Sequence, residues 1–327
     1  MLIRNEICVK VPASTANLGP GFDCLGMSLD LYIWIKMKVS SDQTIIKHYG
    51  VAAEGVPLDE NNLIYKVAQQ VFERCDVHAP YLHIDIYSEI PLSRGLGSSA
   101  SAIVGGMVAA NALLKQPLSK DTLFQMATAL EGHPDNIAAS LFGGVVITTY
   151  DGKQAECIRV EVQSNLMCLV VVPAYTLPTS EARKVLPASV SFQHAVYNNT
   201  HTALLVAAFC TGQYQVLSVA MQDTLHQPYR GTLIPGLEEW IQDAKHNGAI
   251  AAALSGAGPT MIAFTDQSVN DPQLLEQYAK RWMEKHNIDA DMTWLTPVNE
   301  GAHIVECSEV SELIVGREDR QGGVFAS

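Results

Sequence analysis

The run Pro91-Leu92-Ser93-Arg94-Gly95-Leu96-Gly97-Ser98-Ser99-Ala100-Ser101 joins a strand-like stretch to a helix-forming one through a turn rich in glycine and hydroxyl groups. That chemistry suits an anion. Free backbone N–H groups at a helix start, with the positive end of its macrodipole, attract phosphate oxygens, and Gly95 and Gly97 let the backbone come close to them. Three further segments concentrate polar side chains: Lys10 to Gly26, read as a polar loop between strands that carries Asn17 and Asp23; Glu131-Gly132-His133-Pro134-Asp135-Asn136; and Leu254 to Thr260, built around Ser-Gly-Ala-Gly-Pro. Each alone is also readable as a structural turn.

Other phosphate motifs fit the first run less well. Gly95 to Ala100 matches the loose Gly-x-Gly-x-x-Ala dinucleotide pattern, but that pattern needs a second strand closed by an acid about 20 residues on. Ser119 to Glu131 reads instead as a helix. The Walker pattern Gly-x4-Gly-Lys-Ser/Thr is absent from the chain.

The elements that must hold these residues follow from periodicity. Tyr81 to Ile90 alternates Leu82, Ile84 and Ile86 against His83, Asp85 and Tyr87, which predicts a strand ahead of the turn. Ser98 to Leu114, rich in alanine and without proline, predicts a helix behind it. Cys8 to Pro12 is a short strand. Leu29 to Val39 is a strong one, with Leu31, Ile33, Ile35, Met37 and Val39 toward the core and Tyr32, Trp34, Lys36 and Lys38 on a face that is not core. Helices are expected at 62–75, 121–131, 134–142, 190–212, 213–222, 236–247 and 272–286. Further strands are expected at 144–150, 157–162, 166–172, 249–254, 260–265, 291–296 and 302–306. Strands and helices do not alternate as a doubly wound sheet requires, so the fold class is α+β. Asp151-Gly152-Lys153 is the best central turn, which divides the chain into domains 1–155 and 156–327.

Bulk properties narrow the partners. The 327 residues are 48% hydrophobic and 17% charged, with a formal charge of −13, which disfavours nucleic acid or an anionic membrane as partner. The N-terminus lacks the apolar core of a secretory signal, and no apolar run is long enough for a membrane span, so a cytoplasmic location is expected. Cys8, Cys24, Cys75, Cys157, Cys168, Cys210 and Cys307 include no Cys-x-x-Cys pair and read as reduced thiols. The histidines show no paired metal-ligand spacing.

Taken together, the four segments resemble those of the GHMP kinases, named for galactokinase, homoserine kinase, mevalonate kinase and phosphomevalonate kinase. Within that superfamily the homoserine-phosphorylating branch is most similar. The residues that carry this are Pro12-Ala-Ser-Thr-Ala-Asn-Leu-Gly-Pro-Gly-Phe-Asp23, Glu131 to Asn136, Thr179-Ser-Glu-Ala-Arg183 with Leu186-Pro187, and His226-Gln-Pro-Tyr-Arg230. The resemblance spans about residues 8 to 265. It implies an N-terminal mixed sheet with helices, like domain 2 of ribosomal protein S5, and a C-terminal ferredoxin-like α/β sandwich. It further implies ATP-dependent transfer of the γ-phosphoryl group to the side-chain hydroxyl of L-homoserine, giving O-phospho-L-homoserine, and a homodimer.

Under that resemblance, residues Pro91 to Ser101 form the ATP cradle, and Ser98 with Glu131 are similar to the family's Mg2+ pair; the rival readings are a helix cap for Ser98 and a helix-end acid for Glu131. A zwitterionic substrate needs a cation for its carboxylate, which Arg183 and Arg230 can supply by paired hydrogen bonds. Asp23 and Asp135 are the acceptors for ammonium and hydroxyl. Asn17, His133 and Asn136 complete the polar lining, Asn136 near the attacking oxygen, with Thr179 and Gly256 as further contacts. Asp135 is the one candidate base, and a loose transition state does not require a strong one. Lys10, whose counterpart is catalytic in some relatives, is not given that role. Two rivals stand beside this reading: a mevalonate-pathway type of kinase, and a non-catalytic protein that has kept the fold.

Overall fold

Small residues turn the first polar segment into sheet. In a computed structural model, which describes residues 4–51, 55–266 and 272–318, Glu6–Asn17 (β1) pairs antiparallel with Gly21–Ser40 (β2), from Glu6 opposite Lys38 to Asn17 opposite Gly21. Lys10 to Gly26, expected as a loop between strands, is therefore the closed end of a hairpin. Ala13, Ser14, Thr15 and Ala16 are wholly or almost wholly buried there, because side chains this small let neighbouring segments pack directly on the strand. The register shifts between Pro12 and Ala13, where the ladder lacks the N–H that proline cannot donate.

Ile45–Gly50 (β3), Leu63–Arg74 (α1) and Tyr81–Ser88 (β4) follow, with β4 antiparallel to β2 and parallel to β3, which makes the sheet mixed. Ser98–Leu113 (α2), Lys120–Glu131 (α3) and Asp135–Phe142 (α4) come next. The strands Val145–Tyr150 (β5) and Ala155–Val160 (β6) then form a hairpin attached to β2. The 155/156 division expected from sequence runs through this hairpin, since β6 remains in the first sheet.

The second sheet starts at Leu166–Pro173 (β7). Helices Thr179–Lys184 (α5), Phe192–Thr211 (α6), Leu217–Ala220 (α7), Gln227–Arg230 (α8) and Leu237–Asp243 (α9) lead to Ala251–Leu254 (β8) and Met261–Asp266 (β9). Pro272–His286 (α10) and Ala290–Leu295 (β10) complete it. The order β10-β7-β9-β8, antiparallel throughout, is the arrangement of a ferredoxin-like unit. The expected helix 213–222 is a short 3-10 turn followed by α7, and 236–247 likewise ends in a 3-10 turn after α9. One apolar core continues from the first sheet into the second, through Leu166, Leu205, Ile262 and Phe264.

The chain then returns to where it began. His303–Val305 (β11) pairs with β1, and Cys307–Glu318 (α11) lies over the outer face of the first sheet. Two expectations are corrected here. Trp34 is only 7% exposed and packs with Tyr87 and Val310, so the second face of β2 is covered by a helix that periodicity did not reveal. Cys8 and Cys307 form a disulfide and are not reduced thiols, whereas Cys24, Cys75, Cys157, Cys168 and Cys210 are free. Lys10 sits on this face too, its ammonium 3.9 Å from the centre of the Tyr32 ring, in a cation–π contact away from the glycine turn. The extreme ends of the two expected domains, 1–3 and 319–327, lie outside the described residues.

Candidate active site

The glycine turn is held from three sides. Ser14 N–H in β1 donates to Leu96 O at 3.2 Å, Leu177 N–H donates to Ser93 O at 3.2 Å, and Thr260 N–H donates to Arg94 O at 3.3 Å. Arg94 Nη2 donates to Ala174 O at 2.7 Å. A Cβ on Gly95 would lie 2.3 Å from Ser255 O, and one on Gly97 would lie 2.1 Å from Ser14 Oγ; their φ angles of +82° and +70° are left-handed. Torsion favours glycine at both positions, and at Gly95 space requires it too, because the neighbour there is backbone.

Gly97 caps α2 without any side-chain hydrogen bond, so no capping side chain occupies the first N–H groups of the helix, beside which Gly97, Ser98 and Ser99 border a cavity. Ser98 is the first helical residue and not the cap, which removes the capping reading of its hydroxyl. Glu131 is the last residue of α3, the negative end of that helix, where a carboxylate gains nothing from the dipole. Its Oε2 accepts from Ser99 Oγ at 2.9 Å. A serine hydroxyl and a carboxylate thus line the same cavity as hard oxygen donors, a set that fits a magnesium ion keeping several of its waters.

That cavity measures about 130 Å³. Asn17, Asp23, Ser93, Arg94, Gly95, Gly97, Ser98, Ser99, Glu131, His133, Asp135, Asn136, Thr179, Arg183, Arg230 and Gly256 all border it. Pro91, Leu92, Leu96, Ala100 and Ser101, expected in the cradle, do not. Leu96 and Ala100 belong to the core, and Ser101 donates to Ser98 O at 3.1 Å, so these residues brace the turn from behind. A wider groove of about 1000 Å³ beside α8, α9 and β8 contains none of the expected site residues.

Opposite the turn lies a charged cluster. Arg183 grips Asp23 by two hydrogen bonds, Nη1 to Oδ2 at 3.0 Å and Nη2 to Oδ1 at 2.6 Å. The two were expected to take opposite ends of a ligand; the structure pairs them with each other, so a zwitterion must exchange with this pair. Both side chains are about one-third exposed, which makes that exchange cheap. Donating to the Asp23 carboxylate keeps the Arg183 pKa above its ordinary value. Arg230 is only 1% exposed: its Nε donates to Ala182 O, and its Nη1 approaches Gly256 O at 2.9 Å and His226 Nδ1 at 3.1 Å, which leaves Nη2 for an anion. Burial, with Arg183 as a like charge nearby, pulls its pKa down to about 10, still fully cationic at neutral pH.

Asp135, 2% exposed at the start of α4, accepts the Asn136 N–H at 2.7 Å and stands 3.6 Å from His133 Nδ1. Burial works against a charge on His133, but the Asp135 and Glu131 carboxylates outweigh it and hold its pKa above the ordinary value. Asn136 is oriented by Ser14, whose Oγ donates to its Oδ1 at 3.0 Å. Asn17 borders the cavity but spends its amide on the protein itself. Its Nδ2 donates to Gly256 O at 2.8 Å, and its Oδ1 accepts the Asp23 N–H at 3.1 Å. The amide therefore ties the hairpin to the 254–260 turn at the wall of the cavity, where it was expected to meet the ligand. Asn17, Leu18 and Asp23 all have left-handed backbone, a strain of about 1–3 kcal/mol each that concentrates at functional sites.

Sequence reading missed the supports. Phe22 lies 5.3 Å from the Arg183 guanidinium and 5.2 Å from that of Arg230. Ser14 and Ser255 pin the turn, Ser255 Oγ being 2.6 Å from Gly95 O. The only signal for these was membership in the same motifs as the residues chosen.

Comparison with known proteins agrees with this architecture. The family described as GHMP kinases N terminal domain matches residues 62–144, and GHMP kinases C terminal matches 205–285. The chain is similar to the homoserine kinase of Carboxydothermus hydrogenoformans, 41% identical over 90% of this chain and 96% of that protein. Against the homoserine kinase of Caldanaerobacter subterraneus it is 44% identical over 85% of this chain and 88% of the other. Among solved structures, the homoserine kinase of Cytophaga hutchinsonii superposes with a TM-score of 0.83 at 28% identity, covering 92% of this chain and 98% of that one. A mevalonate kinase shares the fold at 16% identity, with a TM-score of 0.66 over 90% of this chain and all of the other.

Proposed function

The chain belongs to the GHMP kinases, in their homoserine kinase family, and from that premise we propose how its own residues phosphorylate homoserine. The observation that carries the reading is one cavity with an uncapped helix start and an acid on one side, and two arginines with two aspartates on the other. The first side suits a triphosphate. The second suits an amino acid bearing both charges.

The reaction is ATP-dependent transfer of the γ-phosphoryl group to the side-chain hydroxyl of L-homoserine. Backbone N–H groups of Arg94 to Ser99 bind the phosphate oxygens, and Ser98 with Glu131 hold Mg2+, which when bound neutralises phosphate charge. Arg230 and Arg183 take the substrate carboxylate; Asp23 and Asp135 take the ammonium and hydroxyl, with His133 and Thr179 along the wall. Asn136, fixed by Ser14, stands by the attacking oxygen. The oxygen attacks phosphorus in line, the bond to the ADP leaving oxygen breaks, and the hydroxyl proton departs late, to phosphate or water, with Asp135 orienting the group. We place the enzyme in the cytoplasm, as a homodimer.

Phosphorus NMR of a mixture of ATP, Mg2+ and homoserine tests this. One phosphomonoester should appear per ADP formed; turnover of mevalonate instead, or of no alcohol, would overturn it.

The arginines provide a second test. A hydrogen bond to a charged partner contributes about 1.5–3 kcal/mol, so Arg183→Ala or Arg230→Ala should raise KM for homoserine roughly ten- to a hundredfold and leave KM for ATP little changed. Equal changes in both constants would remove the arginines from the substrate side.

A further inference from the structure

His226 is buried completely behind Arg230, and the bonding around its ring leaves one protonation state. Its Nε2 is 2.7 Å from Gly19 O, and its Nδ1 is 3.1 Å from Arg230 Nη1. A carbonyl oxygen only accepts and a guanidinium nitrogen only donates. Nε2 must therefore carry the proton and Nδ1 must offer its lone pair. The ring plane is fixed by Phe22, which stacks on it at 5.2 Å and 26° and also underlies the Arg230 guanidinium.

The neighbouring charges do not compete for the ring. Asp223, whose Oδ2 is 3.5 Å from Nε2, is occupied by backbone N–H groups of Leu225, His226 and Gln227 at 2.8, 3.0 and 2.7 Å. Asp23 and Arg230 are the other charges that act on it. Burial pushes the imidazole pKa below its ordinary value, which keeps the ring neutral.

We propose that His226 is a positioning residue: its unprotonated Nδ1 accepts from Arg230 Nη1 and so aims the remaining Nη2 of that guanidinium at the carboxylate of the amino-acid substrate. A protonated ring would set N–H against N–H and turn the arginine away. The proposal rests on the assignment of Arg230 to substrate binding.

Asparagine and glutamine separate this role from simple filling of space. An asparagine amide reaches the place of Nδ1 and retains an acceptor for Arg230; a glutamine amide reaches the place of Nε2 and retains only the bond to Gly19. His226→Gln should raise KM for homoserine about tenfold or more, with kcat and KM for ATP little changed. His226→Asn should bring KM for homoserine back to within about threefold of the parent. Equal KM effects from both variants, or no effect from either, would overturn the proposal. Imidazole 15N NMR of the unaltered protein at neutral pH gives a readout independent of turnover. The Nε2–H tautomer is expected, and a proton on Nδ1 would overturn the proposal even if the kinase reading stands. Absence of homoserine turnover in the parent, with the Nε2–H tautomer present, would instead strike the kinase reading.

Discussion

Glutamine in place of Glu131 is expected to lower kcat by about two to three orders of magnitude, the usual effect of removing one group that stabilises charge in a transition state. The amide oxygen still accepts from Ser99 Oγ, which the carboxylate does at 2.9 Å, so the local fold is kept and only the charge is lost. The helix itself does not favour an acid there, since the end of α3 already carries partial negative charge. Titration with Mg2+ provides the check: the variant should need more of it and regain part of its rate when it is supplied. An unchanged rate and an unchanged Mg2+ requirement would remove Glu131 from the metal site.

Alanine at Gly95 should be nearly as damaging, through geometry alone. Left-handed backbone costs a non-glycine residue about 1–3 kcal/mol, and here the added methyl would also stand 2.3 Å from a backbone oxygen, Ser255 O, with Gly258 N and O 3.1 Å away. Backbone atoms do not rotate aside. The contact between the glycine turn and the 254–260 turn must open, which moves the cradle away from Arg230, because Gly256 O is an acceptor for that arginine. Gly152 is the control: it has φ +88° but nothing within 4 Å of its would-be Cβ. Gly152→Ala should lower the melting temperature modestly and leave KM for ATP alone, whereas Gly95→Ala should impair both. Equal behaviour of the two variants would show that backbone torsion, and not the collision, sets the effect.

The parts of the site that sequence makes legible are those whose geometry is local. The strand at 81–88, the turn and the helix from Ser98 follow from alternation, glycine and a run of apolar residues between Tyr81 and Leu113. Asn136, Arg183 and Arg230 are legible through their motifs. The physical partners of those residues are not, because each contact joins distant segments. Ser14 reaches Asn136, Asn198 Nδ2 donates to Pro20 O, and Asn17 reaches Gly256. Asp23 and Arg183 show the limit plainly: their types announce ion chemistry, but only the folded chain shows that each is the other's partner. The outer face of β2 misleads for a related reason. Its lysines signal water, while Trp34 on the same face is covered by α11, which comes more than 270 residues later.

That late return of β11 to β1 matters when the protein is made. Val9 and its neighbours pair with residues 303–305, so one rim of the first sheet stays open until those residues have left the ribosome. At a synthesis rate of roughly 5–20 residues per second the wait is on the order of 15–60 s. During it, the outer edge of β1, which includes Ile7, Val9 and Val11, is available to any similar strand nearby. The nascent enzyme therefore carries a sticky border until residues 303–305 emerge, and a ribosome stalled before them releases a product that cannot close it.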